Sequence, residues 1–179
     1  YALPMLAPFV IGAVVAYLLR HPIRLLNRKL SIPCINTTAD MADPASYDRM
    51  IRELDACMES AIRLKVPFVR LHTVMDASAY NEENVRKVIS YALPKAEGQK
   101  IVLLIETMGV YADTAILRDV LDSYASDHLA ALWDMHETHI LQGESSQTTI
   151  TNLGAYIRHV HIKDSLKNDD GSISYQLIG

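Results

Sequence analysis

The sequence predicts an α/β chain built on a parallel sheet, and three observations lead to that expectation. Short apolar runs recur about 30 residues apart, the spacing of strands joined by helical crossovers. Amphipathic stretches of helical period fill the intervals. Three of the runs end abruptly in residues able to bind a cation: Ile101 to Ile105 in Glu106, Leu132-Trp133 in Asp134, and Arg158-His159-Val160-His161-Ile162-Lys163-Asp164 in its own polar cluster. An acid directly after apolar strand residues is costly without a partner, so three such ends in succession predict one shared cation.

The elements follow in order. Residues 31–37 are apolar and β-branched and read as a strand. Asp40 and Asp43 then offer caps, and Pro44 suits the first turn of a helix. Met50, Leu54, Cys57, Met58, Ala61 and Ile62 recur at helical spacing through Lys65, and Pro67 is expected to stop that helix. Residues 68–71 form the next strand, ending at His72. Asn81 caps a helix with Glu82 and Glu83 in its first turn and Val85, Val88, Ile89 and Ala92 on its buried face. Pro94 and Gly98 are expected to break it. Residues 101–105 are continuously apolar, the pattern of a strand covered on both faces. Residues 113–124 are helical, with Ile116, Leu117, Val120, Leu121 and Tyr124 toward the core. Residues 129–133 form a strand, 147–153 a short helix stopped by Gly154, and 157–162 a strand.

Five strands with helical crossovers allow two closures, an open doubly wound sheet or a barrel. No glycine-rich phosphate fingerprint follows any strand, which counts against a nucleotide-binding sheet. In a barrel all strands point their C-terminal ends at one face, where Glu106, Asp134 and His161 would meet. Two carboxylates and an imidazole suit Mn²⁺, Zn²⁺, Co²⁺ or Mg²⁺. His159 shares the sheet face of His161, which stands nearer the strand end. Lys163 has the same parity and is a candidate electrophile or substrate anchor. Asp164 is expected to open a loop. Arg70 reads as half of an internal ion pair, with substrate-phosphate binding as the lesser alternative, and His72 as a pocket residue of lower rank.

Length and composition suit one domain with a real core: 179 residues, 50% apolar and 21% charged. Cys34 and Cys57 make no CxxC and read as small apolar residues in a reducing compartment. A net charge of −4 gives no support for a nucleic-acid partner. The charge is unevenly spread. Residues 1–19 carry none, and Arg20, Arg24, Arg28 and Lys29 follow before the first acid at Asp40. The remainder holds 13 basic and 21 acidic residues, a balance of −8. As a helix, 19 apolar residues span roughly 28 Å, about the thickness of a bilayer core, and the cations place that end in the cytoplasm. Residues 1–29 are therefore expected to form an apolar helix with a basic flank, a candidate membrane anchor, and residues 30–179 the folded domain.

The stretches IVLLIETMG, LAALWDMHETHILQGE, YIRHVHIKD and GSISYQLIG resemble the xylose-isomerase-like TIM-barrel superfamily of sugar phosphate isomerases and epimerases. That group also includes inosose-dehydratase-like lyases and endonuclease-four-like repair nucleases. The resemblance covers about residues 30–179 and implies a partial (β/α)8 TIM barrel of about five βα units, lacking the first two strands and the last, behind an apolar N-terminal helix. It places Glu106, Asp134 and His161 at three metal-ligand positions and His136 in the substrate-contacting stretch. Two departures stand out. Glu137 occupies the place of a second histidine, which His136 or His139 would have to replace. The family's fourth ligand, a glutamate on the final strand, has no counterpart here. Separately, PFVIGAVVAYLLRHPIRLLNRKLSIP is similar to the first membrane helix and basic loop of the autoinducer-2 exporter-like permeases. A junction of two unrelated pieces, no initiating Met and an end at Ile178-Gly179 together lead to the expectation of a fragment.

The expected activity is a divalent-metal-dependent sugar or sugar-phosphate isomerase or epimerase working through an enediolate, with Glu106, His136 and Lys163 as catalytic residues. An inosose-dehydratase-like lyase and a non-catalytic, membrane-anchored chimera are the alternatives. A repair nuclease would want more ligands and a basic face, against the −8 balance. The expected partner is a small sugar or sugar phosphate, without nucleic acid, in the cytoplasm. Membrane contact would run through residues 1–19, and the open sheet edges would favour a homo-oligomer.

Overall fold

The alternation of apolar strand and amphipathic helix becomes a curled, partial TIM barrel. The computed structural model of the chain describes residues 31–73 and 77–178. In chain order these form β1 (Cys34–Asn36), α1 (Tyr47–Leu64), β2 (Phe68–Leu71), α2 (Glu82–Gln99), β3 (Val102–Glu106), α3 (Thr114–Tyr124), β4 (Leu129–Asp134), α4 (Met135–Gln142), α5 (Ser146–Leu153) and β5 (Ile157–His161). Strands β1 to β5 lie side by side in sequence order, all parallel. A separate antiparallel ribbon follows, β6 (Asp164–Lys167) with β7 (Ile173–Gln176). Among the described residues no helix is long and apolar enough to cross a membrane. The apolar helix expected over residues 1–29, its basic flank and its permease-like stretch lie outside the described residues, apart from the stretch's last three positions.

Strand alternation divides the core in two. Val69, Leu71, Leu103, Ile105, Leu129 and Ala131 pack against Met50, Leu54 and Met58 of α1, Val85 and Ile89 of α2, and Leu117 and Leu121 of α3. On the opposite face, Leu104, Ala130 and Leu132 pack with Cys34, Phe68 and Val102. Further along that face the residues of the same parity are Arg70, Glu106 and Asp134. The inner layer therefore runs from apolar to charged toward the strand ends.

The caps fall where side-chain chemistry predicts. Asp43 accepts from Ala45 N–H, Asn81 from Asn84 N–H and Asp113 from Ala115 N–H. Helix α1 ends at Leu64, three residues before Pro67, because Lys65 turns left-handed (φ 58°) and bonds back to Ala61 and Ile62. Pro94 and Gly98 do not break α2, which runs unbroken to Gln99. Both face solvent, where water can satisfy the carbonyl that Pro94 leaves unbonded, while Ala92, Leu93 and Ala96 continue the buried stripe. Ile62 and Ile116, expected in the core, are exposed at the margins of their stripes. Gly154 does end α5: a Cβ there would meet the Ile150 carbonyl oxygen at 2.6 Å.

Three elements were not expected. Helix α4 follows β4 without a spacer, since the Asp134 carboxylate that ends the strand accepts from the N–H groups of His136 and Glu137. Asp164 opens β6 rather than a loop, and the β6–β7 ribbon closes through an Asn168–Ser172 turn. Cys34 and Cys57 are both free and half-buried.

The loop after β1 is held from outside the sheet. Glu53 on α1 accepts from the backbone N–H groups of Thr38 and Ala39, each at 2.8 Å, and pairs with Arg49 at 2.8 Å. These bonds, that of Thr38 N–H foremost, lower its pKa to about 2. A carboxyl whose folded pKa is depressed stabilises above the ordinary glutamate range and loses that contribution as pH falls. Glu53→Gln should therefore destabilise the protein at neutral pH, and its deficit in urea midpoint should vanish as pH is lowered toward about 2. A second expectation concerns Lys100, which ends α2 at φ 58°. Lys100→Gly should raise stability by about 0.5–1 kcal/mol in urea unfolding, because glycine takes that conformation without strain.

Candidate metal and substrate site

The charged end of the inner layer depends on strand register. β4 and β5 pair Ala131 with Ile157 but Leu132 with His159, so Arg158 is an extra residue in β5. Without this bulge Val160 would stand opposite Asp134; with it, His161 does. On the other side Glu106 pairs with Leu132, two residues before Asp134. The three positions converge, and ligand atoms of Glu106, Asp134 and His161 lie within 4.8 Å of one another.

Both carboxylates are deeply buried, Glu106 at 2% and Asp134 at 0% exposure. Burial of two charges demands partners, and they come from several elements. Glu106 forms an ion pair with Arg70 of β2 through one oxygen, and its other oxygen lies 2.7 Å from His161 Nδ1. Asp134 Oδ1 accepts the two N–H groups that start α4. Its Oδ2 lies 2.6 Å from Lys163 Nζ, and that contact is not aligned as a hydrogen bond. Thr107 braces the strand end, its hydroxyl accepting from Asp134 N–H at 2.8 Å.

Glu137, met in the sequence only as a departure, is the residue that sequence reasoning missed. It is buried, and Lys163 donates to its Oε1 at 3.2 Å. Burial lowers the Lys163 pKa, but Asp134 and Glu137 outweigh it and hold the ammonium above its usual value. The missed signal was the pattern Asp134-x-x-Glu137 ahead of Gly143, a capping arrangement for a short helix.

The remaining candidates are placed as follows. His136 is buried on α4, with Nε2 2.7 Å from Ser165 Oγ of β6 and Nδ1 without a hydrogen bond. Beside it lies a cavity of about 390 Å³ bordered by His136, His139, Ser146, Lys163 and Ser165. His159 stacks edge-on against His161, and burial, then that neighbour, lowers its pKa. Arg70 is an internal ion pair, as expected. His72, half-buried at the end of β2, is outside the groups able to hold a cation among the described residues.

The donor set suits a divalent cation. It offers two hard oxygens and one imidazole nitrogen, and Asp134 Oδ2 is a buried acceptor with no directed hydrogen bond. Another group, Asp134, His136 and Glu137, meets the same distance limit and shares Asp134 with the first.

Comparison with known proteins agrees with this architecture. Three solved structures share the fold at low identity. A xylose isomerase domain protein from Planctomyces limnophilus is 14% identical with a TM-score of 0.62, over 75% of this chain and 54% of that one. A family 2 AP endonuclease from Brucella melitensis is 16% identical with a TM-score of 0.63, over 76% and 60%. The probable 3-DHS dehydratase AsbF of petrobactin synthesis from Bacillus anthracis is 15% identical with a TM-score of 0.63, over 82% and 55%. The matched part of this chain thus spans between 54% and 60% of those proteins. Among curated proteins no sequence matches the chain. Residues 23–175 match the family described as the xylose isomerase-like TIM barrel, and the chain belongs to that family.

Proposed function

We propose that this barrel serves a divalent-metal-dependent isomerase or epimerase acting on a sugar or sugar phosphate, with Glu106, Asp134 and His161 as metal ligands. The observation that supports the reading is the meeting of these three side chains within 4.8 Å at the ends of three adjacent parallel strands. A divalent cation held there would supply Lewis-acid polarisation of a carbonyl and its neighbouring hydroxyl, which would acidify the C–H on the hydroxyl-bearing carbon. Glu106 is the group assigned to take that proton and return it at the adjoining carbon for isomerisation; epimerisation would need a second acid on the opposite face of the intermediate. His136 borders the cavity, its Nε2 held by Ser165, and is the group assigned to contact a substrate oxygen. Lys163 borders the same cavity and suits an oxyanion. One solved structure of this fold is a probable 3-DHS dehydratase, and in this chain loss of a β-hydroxyl after the same proton abstraction would make the reaction a dehydration.

Two measurements test the assignment. Glu106→Ala and His161→Ala should each weaken Mn²⁺ binding by about 100-fold or more, and unchanged affinity in both removes the metal assignment. In deuterated water the metal-loaded protein should exchange a carbon-bound proton of a ketose or ketose phosphate, followed by NMR. His136→Ala should slow that exchange by about 100-fold with metal content intact. Release of water from the substrate would identify a lyase instead, and no metal-dependent turnover across a sugar panel would end the isomerase reading.

A further inference from the structure

Lys163 stands between two carboxylates of different standing. Its Nζ lies 2.6 Å from Asp134 Oδ2 and 3.2 Å from Glu137 Oε1. Asp134 Oδ1 is committed to the start of α4, which leaves Oδ2 as the oxygen free for a cation. That oxygen already has an ammonium beside it. The Lys163 side chain keeps 34% exposure and borders the cavity, whereas Asp134 is wholly enclosed.

A lysine and a divalent ion cannot both touch one buried oxygen without strong repulsion between them. Glu137 offers the lysine a second place to rest within a single side-chain movement. Resting on the metal-site reading above, we propose that Lys163 is the resident counter-cation of Asp134, that a divalent ion displaces it, and that the displaced ammonium settles wholly on Glu137 at the cavity. The exchange keeps each buried carboxylate paired in both states. It also makes the lysine available to a substrate oxyanion only when the ion is in place. Glu137 is then a positioning residue, which gives its burial beside Lys163 a role.

The test is a Mn²⁺ titration, read by the EPR signal of the free ion, on wild type, Lys163→Met, Glu137→Gln and the double variant. Lys163→Met should bind about tenfold tighter, and Glu137→Gln about threefold weaker because the lysine is left on Asp134. In the double variant the Glu137 substitution should change nothing beyond about twofold. Equal weakening by Glu137→Gln in both backgrounds means a plain through-space charge effect and overturns the exchange. Equal affinity of wild type and Lys163→Met overturns it also. If wild-type binding is lost in His161→Ala while Lys163→Met changes nothing, the metal site stands and the exchange falls. If neither wild type nor Lys163→Met binds Mn²⁺, both fall. Should the variants fold poorly, labelling of wild-type lysines by trinitrobenzenesulfonate gives an independent answer. Mn²⁺ should speed modification of Lys163 about threefold or more relative to Lys100, and an unchanged ratio overturns the proposal.

Discussion

Two carboxylates buried at the ends of neighbouring strands, Glu106 and Asp134, set the conditions for everything around the mouth of this sheet. A lone ion in that position costs several kcal/mol, so each needs charge and hydrogen bonds delivered from elsewhere. Arg70 arrives from β2, His161 from β5 and Lys163 from the segment after it. The first turn of α4 is attached directly to Asp134. Remove the carboxylates and these partners would have no reason to point inward.

The sheet supplies the necessary positions by parity and register. Residues of one parity face the helices and form a conventional apolar interior. Residues of the other parity form a small apolar plug, Leu104, Ala130 and Leu132, beneath the charged layer. The plug places apolar side chains directly beneath the carboxylates. That geometry concentrates the electrostatic interactions among the groups at the mouth. The extra residue at Arg158 completes it by setting imidazole opposite carboxylate.

Much of this was legible in the sequence, for reasons that are local. An acid ending an apolar run, as at Glu106 and Asp134, advertises a strand terminus and a need for a partner. Asn81 and Asp113 advertise helix starts because their side chains replace missing backbone partners. What escaped notice was context. Pro94 and Gly98 looked like stops, and only their placement on the wet face of α2 shows why they are tolerated. Asp134 looked like a strand end alone, yet it also caps a helix. Glu137 looked like a deviation until Lys163 was found against it. The bulge in β5 is a relation between two strands, and no property of Arg158 announces it. The β6–β7 ribbon is short and mostly polar, so neither its period nor its apolar content stands out.

Placing the candidate ligands on three successive βα units has a consequence for the order in which the protein can assemble. Until β5 joins β4, the two carboxylates stand without the imidazole that completes the donor set. The full donor set would therefore form late, when β5 docks, and an ion bound by it would stabilise the native state rather than any earlier collapsed form. An ion held this way would fasten β5 to β4, and its loss would be felt first as fraying of the strand that carries His161.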